Sequence, residues 1–393
     1  MTRPVRVALV GDVPLDDANA PGSRLLWLAR SLRDRGFDVV AGGIRGRGPA
    51  PDVPAVALPD PAPATPWGRF FRQHGVALRL LARAEVRRAD AFWVRGSSLA
   101  AVFAIYGRLA GKPVLWDFHG FSWLEQHGAA IRPRQRIEAA YTRGVEALTV
   151  ALSKGVVAAG EGPRWLLARR HPKKPCRLLP NGIAAEAFAA PRDPEAGRAL
   201  KAAVGIAPEA PVVIFLGHRR ADWWLAAFGP LAEAVAPARL VVIGEGFDAP
   251  SPGPAAPVFL GGRSHDEAAA WLVHAADVAV IPYRADWFNA RTPHFLDGSR
   301  KLMEYAAAGL PVVLPDIPAR PSFMEPGRHY LPYAPDKVDD LVAQVRRLLD
   351  DPASRSRMGE ANRALAGDFA WGRLLDASGV VEALRGDAGG HGA

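Results

Sequence analysis

Residues 298–314 read Gly298-Ser299-Arg300-Lys301-Leu302-Met303-Glu304-Tyr305-Ala306-Ala307-Ala308-Gly309-Leu310-Pro311-Val312-Val313-Leu314. Ser299 is a helix-starting residue type and Gly309 a helix stop, and Pro311–Leu314 is a short apolar run of the sort that fills a buried strand. A helix that turns so tightly into a buried strand is the repeating piece of a parallel sheet covered by helices. Lys301 and Glu304 stand three apart in the first turn, hence on one face. There the ammonium would neutralise phosphate and the carboxylate would accept bonds from ribose hydroxyls. A plain i,i+3 salt bridge is the alternative reading of the pair.

Outward from this block, strand and helix patterns alternate along the whole chain, which predicts parallel α/β sheets. The first half gives strands at Arg6–Val10, Phe37–Val40, Val53–Leu58, Ala91–Val94, Pro113–Asp117, Leu148–Leu152 and Cys176–Leu179. Between them lie helices at Ser23–Arg35, Gly68–Arg88 and Leu99–Leu109, a long one from Pro133, and one that Ser153 would cap. The second half gives strands at Val212–Leu216, Leu240–Ile243, Val258–Leu260, Val278–Pro282 and Pro311–Leu314, then helices at Val338–Leu349, Ala353–Leu365 and Trp371–Leu384. Pattern and charge change near the turn Pro180-Asn181-Gly182-Ile183. The expected division is 1–180, 181–367 and a returning helix with a frayed tail, 368–393.

A chain of 393 residues suits two domains with separate cores, and 49% hydrophobic with 23% charged residues excludes wholesale disorder. No 18-residue apolar run exists, and the polar turn Gly11-Asp12 after Val7–Val10 marks a first strand rather than a secretory signal. The single cysteine, Cys176, excludes an internal disulfide and any multi-cysteine metal site, so the expected location is cytoplasmic. Residues 1–178 hold 28 Lys+Arg against 14 Asp+Glu, net +14, whereas 179–393 hold 21 against 26, net −5. A surplus confined to one half suits an anionic surface or acceptor, although an Arg-rich composition is the plainer explanation of part of it. The basic half has no recognisable nucleic-acid-binding motif, and nucleic acid is not an expected partner.

In parallel sheets ligands collect beyond the carboxyl ends of strands. Gly22, in the turn after the first strand, allows close backbone approach before a helix N-terminus suited to an anion. Asp117-Phe118-His119-Gly120 follows another strand, with Glu125 beyond it. His119 is placed to bond a sugar hydroxyl or move a proton. Gly217-His218-Arg219-Arg220 ends the first strand of the second half, and two adjacent guanidiniums suit a diphosphate. On the helix Gly68–Arg88, Arg69, Phe70, Phe71, Arg72, Arg79 and Arg83 mix aromatics with arginines, a pattern that suits peripheral attachment to an anionic membrane at the inner face of the cell membrane.

Lys301-Leu-Met-Glu304-Tyr-Ala-Ala-Ala-Gly-Leu-Pro-Val-Val resembles the K-L-x-E-Y-x-A-x-G-x-P-V-V signature of GT-B glycosyltransferases related to glycosyltransferase family 4. Phe92-Trp-Val-Arg95 with Pro113–Gly120, the Pro180–Ile183 turn, Val241–Gly246, Phe259–Gly261 and Ala276–Pro282 fall in the same order as in that family. The resemblance implies two Rossmann-like doubly wound domains facing a cleft, with a C-terminal helix crossing back. It implies a metal-independent sugar transfer from a nucleotide-diphosphate-sugar, with no cofactor and with retention of configuration. Arg219 and Lys301 would hold the diphosphate, helped by Arg220 and Gly217, and Gly22 would meet the phosphate from the other domain. Glu304 would take the ribose, with Ser299 and Arg300 beside it, and Gly244, Gly246, Gly261 and Arg263 would frame the base.

His119 would lie beside the donor sugar, and Arg95 and Glu125 on the acceptor side. If the reaction inverts, Asp117, His119 and Glu125 are the candidate bases. The chain departs from the family at the donor loop, where Trp287–Asp297 replaces an acidic E-G-F-G and Asp297 is the nearest acid. An alternative role is therefore a catalytically silent nucleotide-sugar-binding subunit that supports a partner. The acceptor is open, a lipid-linked, cell-envelope, polysaccharide or natural-product molecule.

Overall fold

The computed structural model describes residues 3–16, 20–46, 48, 50–60, 66–123, 133–217, 225–247, 255–287 and 289–389. The chain separates into two compact units, 1–181 together with 371–393, and 182–370. Each is built on one parallel sheet.

The first unit runs β1 Arg6–Leu15, α1 Ala20–Arg33, β2 Asp38–Arg45, β3 Ala55–Leu58, α2 Pro66–Leu81, α3 Ala84–Arg87, β4 Ala91–Arg95, α4 Ser97–Ala110, β5 Val114–Phe118, α5 Pro133–Leu152, β6 Gly155–Ala158, α6 Glu161–Arg170 and β7 Cys176–Leu178. Its strands lie in the order β3-β2-β1-β4-β5-β6-β7. The central strands are unbroken apolar runs because helices cover both faces of the sheet. Val7 to Val10, Ala91 to Val94 and Val114 to Trp116 are all buried. The order reverses between β1 and β4, which pair in parallel from Val7–Ala91 to Gly11–Arg95. Such a reversal opens a crevice at the strands' carboxyl ends, because the flanking connections leave in opposite directions.

The second unit contains α7 Pro194–Ala202, β8 Val212–Leu216, α8 Leu225–Ala234, β9 Arg239–Ile243, β10 Val258–Gly261, α9 His265–Ala270, β11 Val278–Val280, α10 Arg300–Ala307, β12 Val312–Pro315, β13 Tyr330–Tyr333, α11 Val338–Asp350 and α12 Pro352–Ala364. Its sheet order is β10-β9-β8-β11-β12-β13, with the reversal between β8 and β11. The chain then re-enters the first unit as α13 Trp371–Ala377 and α14 Val380–Gly389. Trp371, Leu375, Val380 and Leu384 join α1's Leu25, Leu28 and Leu32 in one core.

Five details differ from the sequence reading. Leu148–Leu152 is the last stretch of α5, not a strand: the Thr149 hydroxyl bonds back to Val145 O within the helix, and the strand begins at Gly155. Ser153 closes that helix through Val150 O, and Gly160 precedes α6. The basic helix breaks between Leu81 and Ala84, and the terminal helix breaks at Gly379, whose φ of 66° ends α13. Strand β13 was not expected, since Pro332 lies within it. Proline lacks the ladder donor, and β13 lies at the sheet edge where that donor is dispensable.

Candidate active site

In the second unit the chemistry gathers where the strand order reverses. The Tyr305 hydroxyl accepts a hydrogen bond from Leu216 N at 2.8 Å and fastens α10 to the end of β8. Lys301 lies one turn earlier on the same helical face. That placement puts its ammonium over the Phe215 ring, 4.7 Å from the centroid, and 3.1 Å from the Tyr283 hydroxyl oxygen. Tyr283 lies a short way past the end of β11, and its carbonyl accepts from the Tyr333 hydroxyl. The missing side chain at Gly217 leaves room for this arrangement. A Cβ there would lie 2.6 Å from the Phe215 ring and 3.2 Å from Lys301 Nζ.

The three glycines picked from the sequence at β8, β9 and β10 come together. Gly217 N donates to Ile243 O and Gly244 N to Gly261 O, both at 2.9 Å. A Cβ on Gly244 would fall 1.6 Å from Gly217 O, so no other residue fits. Gly246 and Arg263 are exposed in the adjoining turns. Glu304 does not form the i,i+3 pair with Lys301 that the sequence allowed. Its Oε1 accepts from Arg300 Nε at 2.6 Å, one turn back, and lies 3.7 Å from His265 Nδ1. Arg300 also reaches His265 Nδ1 at 2.9 Å, and Arg donates only, so Nδ1 is the acceptor and the ring proton sits on Nε2. Ser299 precedes α10 without a side-chain cap bond. Asp297 is buried, with its two oxygens accepting from Ser322 N and Oγ at 2.6 and 2.7 Å, an internal brace of this loop. Arg219 and Arg220 lie outside the described residues.

In the first unit Asp117 ends β5 and is the hub. Arg24, itself 2% exposed, donates Nε and Nη2 to the carboxylate at 3.1 and 2.8 Å. It also donates to Leu179 O and Pro180 O and to Asn181 Oδ1. His119 Nε2 lies 3.0 Å from Asp117 Oδ2 and 2.5 Å from Arg95 Nη1. Arg95 can only donate and Asp117 only accept, so the proton on Nε2 selects which of them it serves. Burial alone would raise the Asp117 carboxyl, but Arg24 and His119 more than offset it and hold it well below the usual carboxylate range. His119 is lowered from 6.5 to about 4, chiefly by burial and then by Arg95, with Asp117 opposing. The ring is therefore neutral near pH 7. A buried, doubly bonded, strongly acidic Asp117 is suited to orienting His119 rather than to removing a proton. Gly22 is buried in the first turn of α1, not in a loop before it. Glu125 lies outside the described residues.

Sequence reasoning missed Arg24, Tyr283 and His265. Tyr283 obeys the same rule that picked His119, a polar side chain just past a strand's carboxyl end. Arg24 carried a weaker signal, a lone cation within an otherwise apolar helix face.

Residues 23–187 match the family model described as Glycosyltransferase Family 4, and residues 210–351 match Glycosyl transferases group 1. Sucrose-phosphate synthase from Thermosynechococcus elongatus superposes with a TM-score of 0.77 at 16% identity, covering 97% of this chain and 99% of that one. The fold is GT-B, with a glycosyltransferase domain in each unit. Anabaena HepE, solved in complex with UDP and glucose, shares this GT-B fold at a TM-score of 0.72 and 15% identity, covering 97% and 100% of the two chains. A 124-residue stretch is 35% identical to glycogen synthase of Mycobacterium tuberculosis, 31% of this GT-B chain and 27% of that protein. The match thus spans about a quarter of the curated relative's length.

Proposed function

We propose that this GT-B protein transfers a sugar from a nucleotide-diphosphate-sugar to an acceptor, without a resident metal ion and with retention of configuration. The observation that carries the reading is the Lys301 ammonium, held by Tyr283 and Phe215 at the β8/β11 reversal beside Gly217. Breaking the bond between the anomeric carbon and phosphate leaves negative charge on the diphosphate. A fixed ammonium, with Arg219 and Arg220 as further candidates, would stabilise that charge as it grows. Glu304 would receive the ribose hydroxyls once Arg300 yields one of its bonds, and the Gly244–Gly246 and Gly261–Arg263 turns would frame the base.

His119, neutral and braced by Asp117, would bond the donor sugar, with Gly22 near the phosphate and Arg95 on the acceptor side. Retention is supported by the state of Asp117, a carboxylate neutralised by Arg24 and so a poor base for an inverting displacement. The acceptor is proposed as lipid-linked or another cell-envelope saccharide. UDP-glucose is the first donor to test, since HepE is solved with UDP and glucose. Titration calorimetry with UDP, on the wild type and on Lys301→Ala, tests the site. Equal affinities would remove Lys301 from it. The engagement of Asp297 by Ser322 favours a second reading, a donor-binding subunit without turnover. Binding of donor with no transfer or hydrolysis would select it.

A further inference from the structure

The sequence points to α2 alone as a membrane-facing helix, but the structure widens the surface and corrects its membership. Helix α4 packs between α2 and α5 on one face of the first sheet, and α2 and α5 also meet directly, His74 Nε2 lying 2.8 Å from the Tyr141 hydroxyl. A helix packed on a sheet normally shows a polar outer stripe. These three do not. Phe71 and Leu78 on α2, Ile105 and Leu109 on α4, and Ile137 and Leu148 on α5 all face solvent, Leu109 at 82% and Ile137 at 66% exposure. The charges among them are of one sign. Arg79 on α2, Arg108 on α4, and Arg136 and Arg143 on α5 are exposed, with Arg83 just beyond α2. Among the described residues of the three helices no exposed side chain is acidic: Glu146 is buried and Glu138 half-buried on α5. Arg72 leaves the set, since it turns to Asp12 and Asp60 at 3.2 and 3.1 Å. The side chains of Arg69 and Phe70 lie outside the described residues.

We infer that the α2–α4–α5 face docks on an anionic lipid bilayer. The apolar side chains would enter the headgroup boundary while the guanidiniums, on apolar stems, pair with lipid phosphates. Charge selects this occupant over a second copy of the chain. A two-fold contact through this face would set one copy's exposed arginines against the other's, and like charges across an interface are unfavourable. Among the described residues no helix is long and apolar enough to cross a membrane, so attachment would be superficial.

The inference is independent of the donor site, and Lys301→Ala should bind vesicles as the wild type does. The test is flotation of the full chain with phosphatidylcholine vesicles, with and without about one-third phosphatidylglycerol, in low salt and in about 0.5 M salt. The expected result is flotation only with anionic vesicles, lost in high salt. Each arginine near such a surface is worth roughly fivefold in partitioning, so Arg79→Glu/Arg143→Glu should weaken binding at least about tenfold. Leu78→Asp/Leu109→Asp should do likewise, and both sites are exposed enough for an unchanged melting curve to verify folding. No flotation, equal flotation with neutral vesicles, or variants that bind like the wild type would each overturn the inference. So would a concentration-dependent dimer that Leu109→Asp disrupts while vesicles go unbound.

Discussion

Removing Arg24 should destabilise the first unit's site, because Asp117 then loses its buried partner. The Arg24–Asp117 pair is almost fully buried, 2% and 3% exposed at the side chains. Breaking such a pair strands a charge in a poorly solvated place, at a cost of about 3–5 kcal/mol. Arg24→Met keeps the length and removes the charge, so it should lower the unit's stability by about that much. Asp117→Asn should also destabilise, since it leaves the guanidinium short of a partner. The double variant should cost less than the sum by about 2 kcal/mol or more, because neither charge is then left alone. Full recovery is not expected, since Leu179 O, Pro180 O and Asn181 Oδ1 lose their donor whenever methionine replaces Arg24. Arg24→Lys should restore the charge but not the forked bonds. Hydrogen exchange at β5 peptides, combined with urea unfolding followed by tryptophan fluorescence, would report the four variants. Costs that add to within about 0.5 kcal/mol would refute the coupling.

Lys301→Ala should cut turnover by on the order of 100-fold or more, about 2–4 kcal/mol of charge stabilisation, checked by steady-state kinetics with the donor that binds. Gly217→Ala should mimic part of that loss, since its methyl meets Phe215 and crowds Lys301 Nζ. Intact kinetics for this variant would mean that the lysine need not stay where it is. Stability should fall as pH drops from 6.5 toward 4. Unfolded His119 takes a proton near 6.5 and the folded one near 4, so in that window the unfolded chain binds more protons. Above 6.5 the contribution is fully present. The effect is at most on the order of 3 kcal/mol, and His119→Gln should flatten it in urea melts across that range.

The alternation of strand and helix was legible because parallel strands buried on both faces read as unbroken apolar runs, as Val212–Leu216 and Val114–Trp116 do. Errors fell where local chemistry is ambiguous. Leu148–Leu152 has strand-forming residues but continues a helix, because its outward stripe follows the spacing of α5. Pro332 concealed β13, because a rule written for interior strands does not bind an edge. At the site, the strand-end rule led to Asp117, His119 and Gly217, and helix-start spacing led to Lys301 and Glu304, but nothing in the spacing showed what holds either side chain of α10. Arg300 and Glu304 are one turn apart and can align their polar ends, leaving Lys301 to the aromatic rings. From the sequence only Lys301 stood as a partner for Glu304, and packing gave that place to Arg300. Arg24 was hidden because its partners are 93 to 157 residues away.

The distribution of charge separates two tasks that the net value of +9 merges. The half carrying Lys301 is net −5, so it cannot attract a dianionic diphosphate by bulk charge. If that half holds the diphosphate as proposed, the affinity comes from a few cations at fixed positions, beside a turn that at Gly244 only glycine permits. The surplus of +14 lies in the other half, and much of it sits on outward arginines that touch no strand end. Placed, half-buried charges are screened far less than exposed ones spread over a helical face. Raising salt from about 0.1 M to 0.5 M should therefore release the protein from anionic vesicles while changing nucleotide affinity only a few-fold. If both fall together, the donor site too works by diffuse charge, and the central place given to Lys301 is lost.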